Sequence, residues 1–205
     1  INLDGGVSIQ ASDGEARIVK AAEAAPKNAA AQLNLSILRE IQGDIRNAVV
    51  YASSAATLDA RSFEAWAQLG KLLGMGEKFD EAFAALEQAV KLRRDHPGVL
   101  LLFAAAALET GRLADCEAAL DGVEALGVPR ADTRRLRAHM LRKRGDAPAL
   151  EEFAADWILD APNETEAGVA LAYALAERGY YDKAAEAYAP LAASVNAGAD
   201  ELAAM

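Results

Sequence analysis

The sequence predicts an all-α chain of stacked helical hairpins, on three observations. Roughly a quarter of the residues are alanine, the strongest helix former. Beyond Gln10 no alternating run of Val, Ile and Thr bounded by turn residues would make a strand. Glycines at 43, 111, 145 and 179 stand 68, 34 and 34 residues apart, each between two apolar stretches of helical spacing. A residue that tolerates φ > 0 ends one helix and lets the next turn back. A fixed period of this length means that one hairpin is repeated along the chain. Gly76-Glu77 fills the gap at twice the period, with the glycine one residue early.

The elements follow in order from that frame. Residues 12–28 read as an incomplete repeat, with a helix over Gly14 to Ala25, Ser12 or Asp13 as its N-cap and Pro26 beyond its end. Repeats then span 29–62, 63–96, 97–130, 131–164 and 165–198, and a partial one spans 199–205. Their twentieth positions hold Ala48, Ala82, Cys116, Leu150 and Ala184. Small residues there let two antiparallel helices approach closely. In the second repeat Trp66, Leu69, Gly70, Leu73, Phe79, Ala82, Leu86, Ala89 and Leu92 form interleaved stripes at helical spacing.

Trp66-Ala67-Gln68-Leu69-Gly70 and Phe79-Asp80-Glu81-Ala82 resemble the tetratricopeptide repeat (TPR) family, whose pattern runs W-x2-L-G-x2-Y, then A-x3-F, A and P. The resemblance extends over about residues 29–193 and implies a single domain over 1–205, a right-handed α-solenoid of stacked antiparallel hairpins. The fourth repeat departs from the pattern. Arg134 and Arg137 stand where the family has Trp and Leu, and the apolar stripe moves to Leu136, Met140 and Leu141. Whether its first helix is rotated stays open. Pro148 suits the opening turn of the following helix, and Trp157 replaces a usually small residue, filling space beside the altered helix. The frame continues at both ends, so the chain is expected to be a piece of a longer array rather than one closed by half-repeats.

Composition narrows the function. With 31 acids against 21 bases the net charge is −10, which repels phosphate backbones and argues against nucleic acid. No stretch of about 18 uncharged apolar residues would insert into a membrane, and Ile1 to Gln10 carries no leader signal. A lone Cys116 gives no sign of an oxidising compartment, so a cytoplasmic setting is expected over a periplasmic one. His96 and His139 stand apart, without metal-ligand spacing, and no glycine-rich loop could cradle a phosphate. Acid pairs at Asp80-Glu81, Glu151-Glu152 and Asp200-Glu201 read as helix-opening caps. The expectation is therefore a non-catalytic protein with no metal and no cofactor.

The resemblance implies a partner groove lined by the first helix of each hairpin. Carried onto this chain, its positions are Leu33, Asn34 and Ile37 in the first repeat, Gln68 and Lys71 in the second, and Leu101, Ala105 and Leu108 in the third. Arg135, His139 and Arg142 follow in the fourth and Tyr173 in the fifth. Leu33, Ile37, Ala67 and Lys71 occupy the positions at which chaperone-binding members hold a C-terminal carboxylate, so that clamp is not supported. An apolar floor with a cationic end suits a protein or peptide segment with apolar anchors and an acidic end. The arginine-rich run from 130 to 144 has a second reading, as a solvated face paired with neighbouring carboxylates. Two other roles are compatible with the same repeats: recruiting substrate for an enzyme of glycosyltransferase, sulfotransferase or hydroxylase type whose catalytic domain lies outside this segment, or self-association through exposed solenoid ends.

Overall fold

A computed structural model describes the backbone of residues 4–129 and 131–189 and the side chains of 13–129, 131 and 133–189. The partial repeat at 199–205 and the acids Asp200 and Glu201 lie outside the described residues. Within them the chain is all-helical: α1 (Asp4–Ala24), α2 (Ala29–Ile41), α3 (Ile45–Leu58), α4 (Phe63–Met75), α5 (Phe79–Leu92), α6 (Pro97–Glu109), α7 (Leu113–Ala125), α8 (Ala131–Arg144), α9 (Ala147–Asp160) and α10 (Thr165–Glu177). Helical backbone resumes over 181–189. Helices α2, α4, α6, α8 and α10 begin at 34-residue intervals. The start of α1 differs from expectation. It runs through Ser12, Asp13 and Gly14 without a break rather than opening there.

The chain divides into two compact units, 1–110 and 111–205. In the first, each helix packs on the next, and α4 also packs on α2 and on α6, so the hairpins stack. Its core is made of Ala52, Leu72, Leu86 and Ala89 with Trp66, Phe83 and Phe103 at the edges. Small residues set the spacing. Ala48 and Ala82 have no exposed surface, and a Cβ built on Gly70 would stand 2.4 Å from Leu86 Cγ. The family's glycine in the Trp-x2-Leu-Gly run is thus needed because α5 lies against the backbone of α4. In the second unit α7, α8, α9 and α10 pack in sequence, and α8 also touches α10.

Side-chain caps start several helices: Asn28 Oδ1 accepts from the Ala31 amide, Ser62 Oγ from Ala65, Asp44 Oδ1 from Asn47 and Asp146 Oδ1 from Ala149. His96 does the same for α6, its Nδ1 accepting from Val99 while the ring tilts against Phe63. Pro148 sits in the first turn of α9. Asp80 and Glu81 open α5, but Glu151 does not cap α9. It lies beyond the first turn and pairs with Arg178 after α10.

The turns carry a second correction. Gly43, Gly111, Gly145 and Gly179 take positive φ, but at the remaining site Gly76 does not; Glu77 takes φ 58° in its place. Position in the 34-residue frame, not residue type, decides which residue reverses the chain. Helix α8 is equally faithful to the frame. Met140 and Leu141 are buried where α4 buries Leu72 and Leu73, and Thr133 where α4 buries Ala65. The helix is therefore not rotated; Arg134 and Arg137 remain on the inner side, where the family has Trp and Leu.

Because a side chain in the left-handed region is strained, Glu77→Gly should raise stability by about 1 kcal/mol, and Gly145→Ala should lower it by about as much. Denaturant melts of the two variants check both signs. Ala82→Leu should cost about 1–3 kcal/mol by overpacking the α4–α5 crossing, measured in the same melts.

Candidate functional site

In the second unit the turn-to-turn spacing of α8 puts Arg135, His139 and Arg142 on one face, and α10 presents Glu166, Val169 and Tyr173 opposite. Between them is a cavity of about 300 Å³ whose floor is Leu150 and Trp157 of α9. The floor is fixed. Trp157 is buried, its ring tilted against Phe153, and its Nε1 donates to Glu164 Oε2 at 2.7 Å. An aromatic ring whose only polar atom is already bonded gives a rigid apolar base.

The walls are charged and open. Arg135 pairs with Glu166 at 2.7 Å. The Arg142 guanidinium carbon lies 5.6 Å from the Tyr173 ring centre, within cation–π range. Tyr173 and Val169 remain exposed. The other α8 arginines face different partners. Arg134 meets Asp160 and Glu164, Arg137 meets Asp121 and Glu124, and Arg144 meets Glu117. Arg134 and Arg137 are only 11% and 16% exposed, so their stems fill the core positions while their heads reach carboxylates at the rim. Among the described residues Arg142 is the α8 arginine with no carboxylate at ion-pair distance. The basic run is thus mostly paired structure, with a cationic remainder that faces the cavity.

The first unit treats its candidates differently. Leu108 is only 1% exposed and belongs to the core, so it lines no groove; a helix packed on two sides buries a leucine at that position. Gln68 is buried and donates to Glu40 Oε2 at 2.7 Å, and Lys71 Nζ reaches the same carboxylate at 2.8 Å. Partial burial works against the Glu40 charge, but the bonds from Lys71 and Gln68 outweigh it and hold this carboxyl below the ordinary range. These polar groups are satisfied by one another. Leu33 and Leu101 are half-buried, while Asn34 and Ile37 are exposed. Ala105 lines a separate apolar cavity of about 380 Å³, with Gly70, Gly74, Met75, Leu86 and Leu102.

Leu150 and Trp157 were beyond the reach of the groove pattern, which covers only first helices. The large Trp157 at a usually small position was the available signal. Among the described residues no group of His, Cys, Asp and Glu is arranged to hold a metal, and no helix is long and apolar enough to cross a membrane. Burial pushes the Cys116 thiol up to about 11, so it stays protonated at neutral pH.

Residues 76–140 match a tetratricopeptide repeat family model. No curated protein matches by sequence. Among solved structures, the chain is similar to YrrB, described as a TPR protein with an unusual peptide-binding site, at 17% identity over 83% of this chain and 88% of that one, with a TM-score of 0.70. MamA from Desulfovibrio magneticus RS-1 matches at 18% identity over 82% and 96%, with a TM-score of 0.73. A tetratricopeptide repeat protein from Parabacteroides merdae matches at 16% identity over 86% and 70%, with a TM-score of 0.71. At these identities the likeness is one of fold.

If arginine–carboxylate pairs replace apolar contacts around α8, salt should weaken that helix selectively. Raising NaCl from about 0.1 to about 1 M shortens the screening length and should speed hydrogen exchange in α8 more than in α4, which has fewer ion pairs. An equal response in both helices would contradict the assignment.

Proposed function

Since residues 76–140 match a tetratricopeptide repeat model and the fold is that of tetratricopeptide repeat structures, we propose that the chain is a non-catalytic scaffold of five repeats, beginning at 29, 63, 97, 131 and 165, that holds a peptide segment of a partner protein in the α8–α10 groove. The segment has an apolar anchor for the Trp157 and Leu150 floor and an acidic residue for Arg142. The observation that carries this reading is the pairing of a cation without a carboxylate partner, Arg142, with an exposed aromatic ring, Tyr173, above an apolar base. A cation laid on a ring is held in place without being neutralised, and a ligand carboxylate can still reach its donors. The family supports the same role, since stacked hairpins display side chains rigidly along a surface. A peptide-binding site in YrrB, a structural neighbour, is consistent with it.

The mechanism is display rather than chemistry. The apolar anchor displaces water from the floor, and the acidic residue sets direction and register through Arg142. The test is fluorescence anisotropy with short peptides that carry a Leu or Phe next to either Asp or Asn. The Asp series should bind the full chain about tenfold more tightly than the Asn series. Combining Arg135→Glu with Arg142→Glu should abolish that preference. Equal binding of the two series, or an unaffected double variant, would overturn the reading.

A further inference from the structure

We infer that Glu166 is a built-in competitor for the ligand of the α8–α10 groove: it occupies Arg135, so that a segment with one acidic residue is received by Arg142 alone, while a segment with two must take Arg135 from Glu166. This rests on the reading of that groove as a peptide site and adds what sets its selectivity.

The arginines of α8 differ in how firmly each is held. Arg134 and Arg137 are largely buried, and each reaches two carboxylates, so neither is available to a ligand. Arg142 lies over Tyr173 with no carboxylate at ion-pair distance among the described residues. Arg135 stands between these cases. Its side chain is 75% exposed and that of Glu166 44%, and a single 2.7 Å contact joins them at the cavity wall. Exposed pairs of this kind contribute little and exchange partners readily. Glu166 also lies in the first turn of α10. There the positive end of the helix dipole continues to favour its charge after Arg135 has left it. Displacement is therefore cheap, but it leaves a second negative charge beside the incoming one.

Geometry fixes the spacing of the acids concerned. Arg135 and Arg142 are seven residues apart, about 10.5 Å along the helix axis at the usual rise. An extended peptide advances about 3.3–3.6 Å per residue, so the two arginines correspond to acids three positions apart. Glu166 lines the same cavity and discourages the acid that would sit at Arg135.

The experiment is fluorescence anisotropy on the full chain with two labelled peptides. One carries a Leu flanked by Asp residues three positions apart, and the other has the Asp meant for Arg135 changed to Asn. Glu166→Gln should tighten the two-acid peptide about threefold to tenfold and the one-acid peptide less than about twofold. Glu177→Gln removes the same charge from the far end of α10, outside the cavity, and should change neither affinity. Equal gains for both peptides, no gain, or an equal gain from Glu177→Gln would each overturn the inference. If neither peptide bound wild type or Glu166→Gln, the groove reading itself would fall, and this inference with it.

Discussion

Everything in the fold depends on how closely paired helices approach at the small-residue positions. Ala48 and Ala82 have no exposed surface, and α5 presses Leu86 onto the backbone of α4 at Gly70. A close crossing brings the longer side chains on either side of it into contact, which is where most of the burial arises. In the first unit it also sets how α4 meets α2 and α6.

The fourth hairpin keeps this geometry with different chemistry. Arg134 and Arg137 fill positions where the second hairpin uses Trp66 and Leu69, and their guanidinium groups are answered by acids from α7, from the end of α9 and from the start of α10. Desolvating a cation is costly unless partners surround it. Here the carboxylates lie at the rim and the stems supply the apolar contact. Trp157 completes the substitution, since its indole fills volume from the α9 side and its N–H is taken by Glu164, the same residue that meets Arg134. An ionic lattice behind α8 and an aromatic floor in front of it are thus two sides of one packing solution.

The hairpin frame was legible in the sequence because glycine spacing and small-residue spacing report one constraint twice. The lining of the cavity between α8 and α10 was legible in part. Arg135, His139, Arg142 and Tyr173 share a cavity because helical periodicity alone puts them on facing sides. Leu108 misled because an apolar residue on a first helix can face the core or the groove, and periodicity does not distinguish them when the whole helix is apolar. Glu77 misled for a different reason. A propensity of about 1 kcal/mol for glycine at positive φ is smaller than the packing that sets where the chain must turn. Pairing of the arginines was beyond the sequence, since their acids come from three other segments.

The same comparison explains why the cationic remainder is informative. In a chain of net charge −10 an arginine has carboxylates in easy reach, and most of those on α8 have taken one. Arg142 is instead laid on an exposed ring, an arrangement that gives a fraction of the stabilisation of a buried pair but keeps its donors open. An ion pair at so exposed a position would add little to stability, so the fold loses little by leaving Arg142 without a carboxylate. Held on the Tyr173 ring and exposed to water, Arg142 keeps its donors open beside the apolar floor of Leu150 and Trp157.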